Sequence, residues 1–199
     1  MADDNKTINP KNVTTGDPVE GACCFTSFDA SPTLPDTASV DLTADAKWAN
    51  LGELSENGYT KSVSTSSNKF KGWHGSVLLS KISEEENTFK CEFTEVVRES
   101  VLKLRYGTDA VKTDEKGNVT GVDPTTVPSA VRPLVFDELL SNGEKMRTVF
   151  PRATIDSIDD EAHQKGSLLV YSMTFTANVD EKGRPYYIRY AVPETSTAA

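Results

Sequence analysis

The stretch Leu168-Leu169-Val170-Tyr171-Ser172-Met173-Thr174-Phe175-Thr176-Ala177 decides the fold class, because it is the strongest strand signal in the chain. It is rich in aromatic and β-branched residues, which favour strands. The turn residues Asp180-Glu181-Lys182-Gly183 follow it, and residues 186–192 are a second apolar and aromatic run. The sequence therefore predicts that residues 168–192 form a β-hairpin.

Further strand candidates occupy most of the chain on the N-terminal side of this hairpin. Residues 88–93 alternate cleanly, with Phe89, Cys91 and Phe93 on one face. Turn signals divide the candidates at Asn57-Gly58, Glu84–Asn87 and Asn142-Gly143. The candidates before and after these turns are residues 22–28, 59–65, 73–82, 132–139 and 145–150, with residues 153–158 as a candidate continuation of the last strand after Pro151. We expect eight or nine strands, mainly antiparallel.

One helix is predicted, at about residues 94–106. Thr94 is a suitable N-cap, and Gly107 follows as a C-terminal stop. Phe93, Val97, Val101 and Leu104 are spaced by four, four and three, which places them in one apolar stripe. The expected fold is therefore mainly β: an antiparallel β-sandwich or barrel with one flanking α-helix.

The composition predicts a single domain with polar ends. Residues 1–17 contain almost no apolar side chains and are expected to form a flexible N-terminal arm. Residues 18–192 form the predicted β domain, and residues 193–199 form a C-terminal tail. Within the domain, residues 107–130 show no strong periodicity, so we expect a long hairpin or an extended long loop with a role outside the subunit. We expect Asp114-Glu115-Lys116-Gly117 to be a hairpin tip with the glycine at positive φ.

The charge balance argues against several classes of partner. The 199-residue chain has a formal net charge of −9, and residues 1–60 carry ten acidic but only three basic side chains. Binding to a phosphate backbone or to an anionic membrane needs a basic surface. The three cysteines, Cys23, Cys24 and Cys91, are odd in number, which indicates reduced thiols in a cytosol. We expect neither a secretory signal nor a membrane span.

No motif in the sequence indicates catalysis, a cofactor or a metal site, so we expect that the protein is not an enzyme. Three weaker alternatives stay open. Cys91 and His74 are a conceivable nucleophile–base pair, and residues 156–161 are a conceivable calcium loop that lacks the EF-hand spacing. Trp48 and Trp73 are conceivable stacking platforms for a saccharide, although a tryptophan is more often a core or interface anchor.

Several segments, in order along residues 18–192, resemble the major tail protein of long-tailed, non-contractile bacteriophages, as in phages of actinobacteria. The first resemblance is Pro18-Val19-Glu20-Gly21-Ala22 followed by Thr33-Leu34-Pro35-Asp36. Next come Leu51-Gly52-Glu53-Leu54-Ser55-Glu56-Asn57-Gly58 and Gly72-Trp73-His74-Gly75. The last two are the passage from Phe89 to Gly107 and the final hairpin. The passage departs from the family's pattern, because Glu95 lies two residues after Phe93 rather than four.

The resemblance implies a structural virion protein whose hexameric rings stack into a tail tube, the conduit for genome ejection. It implies tape-measure and tail-terminator proteins as partners, a location in the virion after assembly in the host cytoplasm, and viral DNA that passes without specific binding. No catalytic residue is carried over. A tube protein of a contractile injection machine is the related alternative, and a carbohydrate- or receptor-binding β-sandwich is the other. The candidate assembly residues are Trp48, Leu51, Gly52, Gly58, Trp73, Gly75, Phe93, Val97, Val101, Leu104 and Gly107.

Overall fold

The computed structural model describes residues 12–191, and its secondary structure is mainly β, as expected. The predicted N-terminal arm falls largely, and the predicted C-terminal tail wholly, outside these residues. The described chain contains one α-helix, α1 (Glu99–Tyr106), a 3-10 turn at Thr108–Ala110 and the following strands: β1 (Gly16–Pro18), β2 (Cys24–Thr26), β3 (Ala49–Gly52), β4 (Leu54–Lys71), β5 (Val77–Phe93), β6 (Val111–Thr113), β7 (Val119–Val122), β8 (Arg132–Leu140), β9 (Lys145–Ile158), β10 (Tyr171–Asn178) and β11 (Tyr187–Ala191).

Nine of these strands form one antiparallel sheet that closes on itself. The order of its main path is β3-β2-β8-β9-β10-β5-β4, with β1 added to β8 and β11 added to β9. The two ends of this path, β3 and β4, are separated by Glu53 alone. The path therefore begins and ends on one continuous stretch of chain, which gives a barrel-like body.

The interior of this body is a cluster of aromatic side chains. Phe89 stacks on Phe150 and on Phe175, with ring centroids 3.8 and 5.0 Å apart. Tyr59 stacks on Phe136 at 4.2 Å. The predicted alternation is confirmed, since Phe89, Cys91 and Phe93 all lie in this core. Burial of such large apolar surfaces is the main stabilising contribution to the fold.

The other face of strands β2, β8 and β9 is covered by the segment between β2 and β3. Successive residues of these strands point to opposite faces. Leu134, for example, belongs to the interior cluster, and its neighbour Val135 belongs to a second apolar cluster. The second cluster contains Trp48 and Leu42. Residues 29–45 have loop composition, and they form a lid over the sheet that excludes water from this second cluster.

The helix is shorter than the sequence predicts. It begins after an extended N-cap residue, Arg98, and not at Thr94. The Thr94 hydroxyl and backbone N–H both bond to the Glu53 carbonyl, and the Glu95 carboxylate accepts the Glu53 N–H. These bonds attach residues 94–95 to the junction of β3 and β4, so the first helical turn begins only at Glu99. As a result, Val97 lies outside the helix.

The predicted C-terminal hairpin is wrong in its pairing, although both strands exist. β10 pairs with β5 and with residues 152–158 of β9, whereas β11 pairs with residues 145–149 of β9. The turn at Asp180–Gly183 therefore connects two strands that add end to end along the same edge of β9. Strand β9 continues through Pro151 and is therefore long enough to pair with both β10 and β11.

The segment at residues 107–130, predicted as a long hairpin or an extended loop, contains a second, two-stranded sheet, and the predicted hairpin tip at Asp114–Gly117 is confirmed. Strands β6 and β7 pair around the turn at Asp114–Gly117, as a local hairpin. Val111, Val119 and Val122 pack against the main core. This hairpin is therefore attached to the body beside the helix. No helix among residues 12–191 is long and apolar enough to cross a membrane.

Candidate functional site: a projecting ribbon and an acidic cleft

Strands β4 and β5 extend far beyond the barrel as a two-stranded ribbon. Their pairing continues from Tyr59↔Cys91 to Lys71↔Val77. The next strand, β10, pairs with β5 only from Thr88 to Phe93. Within residues 12–191, no third strand therefore supports residues 62–87, which we call the projecting ribbon.

The sequence predicts strands at residues 59–65 and 73–82 but not the continuous ribbon, because residues 64–68 and 83–87 contain no apolar side chain. Residues 62–68 are serine, threonine, asparagine and one valine, and Glu84–Asn87 has the composition of a turn. The structure places Glu84, Glu85 and Glu86 inside β5, opposite Ser66, Thr65 and Ser64. The predicted turn at this position is therefore wrong. Continuous backbone pairing, rather than side-chain burial, defines these strands.

Charge and apolarity are divided along the ribbon. Its distal half, residues 67–82, contains three lysines and no acidic residue, whereas its proximal half, residues 62–66 and 83–87, contains three glutamates and no basic residue. The distal half also holds six large exposed apolar side chains, against one, Val63, in the proximal half: Phe70, Trp73, Val77, Leu78, Leu79 and Ile82. The ribbon thus has an apolar, basic tip and a polar, acidic base.

Trp73 lies at the tip and is 99% exposed. The tip is a tight turn in which the Gly75 N–H bonds to the Gly72 carbonyl and the Gly72 N–H bonds to the Ser76 carbonyl. An indole at such a position buries no apolar surface against the barrel of its own subunit. Exposed apolar surface of this kind marks an interaction site in a soluble protein.

A cleft of about 360 Å³ opens at the base of β4, between β4 and β8. It forms where residues 55–58 bulge out of the pairing of β4 with β5. The Ser55 hydroxyl bonds to the Glu92 carboxylate at 2.7 Å and fixes one end of this bulge. Gly58, with φ 58°, completes it.

The wall and the rim of the cleft differ in polarity. Leu54 and Tyr59 supply apolar surface, and Glu53, Glu56 and Glu138 supply carboxylates. We call this site the acidic cleft. Asp137 also lines it, but its charge is neutralised by Arg147 and Lys145.

Two titratable groups of the acidic cleft are perturbed by burial. Desolvation raises the pKa of Tyr59, whose hydroxyl donates to Thr148 Oγ1 at 3.0 Å. Desolvation also raises the pKa of Glu138, against the opposing field of Lys61. Glu138 therefore holds its negative charge less readily than an exposed glutamate does.

The predicted assembly residues fall into four groups. Six belong to the barrel, its lid or its helix, where they are buried or end an element: Trp48, Leu51, Phe93, Val101, Leu104 and Gly107. Gly52 and Gly58 lie at the two bends of the β3–β4 stretch, and Gly58 lines the acidic cleft. Trp73 and Gly75 form the tip of the ribbon. Val97 was expected in the buried helix stripe but is 80% exposed.

The structure separates the residues of the catalytic and metal alternatives. Cys91 is buried between Tyr59 and Met173, whereas His74 lies at the far tip of the ribbon. Burial raises the pKa of the Cys91 thiol, which disfavours a thiolate nucleophile. In the acidic run, Asp159 pairs with Lys90, and Glu161 pairs with Arg105.

The tryptophans of the saccharide alternative also lie apart. Trp48 is 7% exposed and packs with Phe25 and Val149 in the second cluster, so it offers no open ring face. Trp73 projects alone from the ribbon. The pair therefore does not form a shared platform.

Several solved structures align with this chain. A solved structure described as the cryo-EM structure of the anti-feeding prophage cap, the AFP tube terminating cap, aligns with a TM-score of 0.44 and 9% sequence identity. The alignment covers 96% of this chain and 100% of that chain. No family model and no curated protein matches the sequence. At this TM-score and identity, the similarity by itself indicates no function.

Proposed function

We propose that this protein is a structural subunit of a phage tail tube and that its copies form hexameric rings that stack around a channel for the genome. The observation that carries this proposal is the projecting ribbon. It extends for nine residue pairs beyond the barrel, from Val63↔Asn87 to Lys71↔Val77, and no third strand among residues 12–191 pairs with it. A subunit with such a ribbon is suited to contact other subunits.

The ribbon needs a partner for an energetic reason. An isolated two-stranded hairpin is at best marginally stable in water, and three or more strands are normally required. Its strand edges also offer unpaired backbone groups that favour association with another chain. The six exposed apolar side chains of the distal half add a favourable hydrophobic contribution when another surface covers them.

The charge of the chain suits a conduit for DNA. A net charge of −9 repels phosphate groups, so a channel lined by such subunits lets DNA slide without adhering. In this proposal DNA is cargo and not a ligand. The proposed role is structural and not enzymatic, in a virion assembled in the host cytoplasm, with tape-measure and tail-terminator proteins as further partners.

Electron microscopy of the purified protein over a concentration series tests this proposal. We expect six-fold rings at intermediate concentration and stacked tubes at high concentration. We also expect no retardation of double-stranded DNA in a gel at physiological salt. A protein that stays monomeric at every concentration and ionic strength, or one that assembles without six-fold symmetry, contradicts the proposal.

A further inference from the structure

We infer that the tip of the projecting ribbon docks into the acidic cleft of a second copy of this chain, with Trp73 as the inserted anchor. This inference deepens the proposed function, because it assigns the contact through which subunits join. The two surfaces are complementary in charge and in polarity, and the cleft has a volume that is usual for a binding pocket. Each of these properties follows from the described residues.

The charges are opposite in sign. The distal half carries Lys69, Lys71 and Lys81 without any acidic residue. The rim of the cleft presents the carboxylates of Glu53, Glu56 and Glu138. Opposite fields of this kind steer two surfaces together and fix their orientation.

The apolar parts also match. The indole of Trp73 is fully exposed, and the cleft offers the side chains of Leu54 and Tyr59 beside a volume of about 360 Å³. This volume lies in the range of roughly 300–1,000 Å³ that is usual for binding pockets. Tryptophan inserted into a pocket with a polar rim is a frequent energetic centre of protein interfaces.

The tip cannot reach the cleft of its own subunit. Tyr59 lines the cleft and Trp73 lies 14 residues further along the ribbon, so at about 3.3 Å per residue the two are roughly 45 Å apart. The pairing of β4 with β5 continues to Lys71↔Val77, which keeps the ribbon extended between them. The occupant of the cleft is therefore a tip from another copy.

A contact between two different patches of one chain is heterologous. Such contacts propagate, because each copy still offers a free tip and a free cleft. They give closed rings where the rotation closes and open filaments where it does not. A closed ring, or a contact that stacks one ring on the next, is the outcome that the proposed tube subunit requires.

Single variants provide the first test, with assembly followed by sedimentation velocity and electron microscopy. Trp73→Ala should raise the concentration needed for assembly at least tenfold and leave the melting temperature unchanged. Glu56→Lys, at an exposed rim position, should weaken assembly similarly. Lys116→Glu, at the exposed β6–β7 turn, is the charge control and should assemble like the unaltered protein.

A mixing experiment tests the heterologous geometry. The Trp73→Ala chain keeps an intact cleft, and the Glu56→Lys/Glu138→Lys chain keeps an intact tip. An equimolar mixture should form 1:1 complexes that grow no further, although neither variant associates alone. Glu56→Lys alone replaces the double variant if the substitution at the half-buried Glu138 prevents folding.

A charge exchange tests the pairing itself. The chain Lys69→Glu/Lys71→Glu should not assemble, and adding Glu56→Lys/Glu138→Lys to it should restore assembly at least partly. Normal assembly of Trp73→Ala, or no restoration by the exchange, overturns the inference and leaves the proposed function standing. Fibres that depend on Trp73 but show no rings or tubes support the inference and contradict the proposed function.

Discussion

Arg147 and Asp137 lie opposite each other in register on β9 and β8 and form a buried two-pronged ion pair. Arg147 Nε donates to Asp137 Oδ1 at 2.6 Å, and Nη2 donates to Oδ2 at 2.7 Å. The guanidinium also donates to the backbone carbonyls of Thr37 and Val40 at 3.0 and 2.8 Å. One side chain thus attaches the lid segment to the outer face of the sheet.

Removal of Arg147 should destabilise the protein strongly. Arg147→Met leaves Asp137 buried with only the partial compensation of Lys145, so we expect a loss of about 3–5 kcal/mol in the free energy of unfolding. The double variant Arg147→Met/Asp137→Leu should recover much of this loss, because it removes both buried charges. Urea unfolding measures both effects, and limited proteolysis should show that the lid near residues 37–40 is cleaved faster in both variants. A double variant no more stable than the single one contradicts this account.

Gly52 allows the bend that closes the barrel, and its substitution should be costly. Its φ is 79°, and a Cβ at this position would overlap the Glu95 carboxylate that bonds to the Glu53 N–H. We expect Gly52→Ala to lower the free energy of unfolding by about 2–4 kcal/mol, from backbone strain plus the displaced Glu95.

Gly58→Ala is the matched control for this prediction. Gly58 also has a positive φ, but its added Cβ meets no described atom within 4 Å. Only the strain of the left-handed conformation applies, so the expected loss is about 1–2 kcal/mol. Equal losses for the two variants, measured by urea unfolding, contradict the role assigned to the Glu95 contact.

The sequence predicts those parts of the fold that are determined by local pattern. The alternation of Phe89, Cys91 and Phe93 gives the core strand, and Asn142-Gly143 gives the turn between β8 and β9. Helix residues Val101 and Leu104 are buried as their spacing predicts. Each of these features depends on residues a few positions apart.

The features that the sequence does not predict depend on distant partners. The start of the helix is decided by bonds from Thr94 and Glu95 to Glu53, about forty residues away. The partner of β11 is decided by the length of β9. The acidic cleft combines residues from β1, β4 and β8, so no sequence window contains it. The sequence does not predict the ribbon as one continuous element because its proximal half consists of polar strands with a turn-like composition.

Neutralisation of Glu138 should stabilise the monomer in a pH-dependent manner. Desolvation raises its pKa in the folded state, so the folded protein binds this proton more tightly than the unfolded chain does. Ionisation of Glu138 therefore costs free energy in the folded state. The Glu138→Gln substitution removes this cost at every pH above the pKa of Glu138 in the folded protein. Below about pH 4.3, the usual pKa of glutamate, both forms carry a neutral side chain and the difference should vanish.

Thermal unfolding of the two proteins between pH 3 and pH 8 measures this difference. The Glu138→Gln protein should melt at a slightly higher temperature at neutral pH, and the two melting curves should converge in acid. The neighbouring charges of Lys61 and Asp137 are the same in both proteins. A difference that grows as the pH falls contradicts the assigned direction of the pKa shift.

Truncation of the ribbon should separate folding from assembly. Replacing residues 66–84 with Asn-Gly joins Thr65 to Glu85, which are paired across the ribbon, through a two-residue turn that suits a hairpin. The removed residues pair only with each other among residues 12–191, so the free energy of unfolding should change by no more than about 0.5 kcal/mol.

The same truncation removes Trp73, the three lysines of the distal half and all six of its exposed apolar side chains. We therefore expect a monomer at every concentration, measured by light scattering coupled to gel filtration. A truncation of the β6–β7 turn, residues 114–117, is the control and should leave assembly intact. If the truncated ribbon still supports tubes, subunit contacts lie on the barrel itself. If the truncation unfolds the protein, the ribbon is part of the folding unit and not an appended contact element.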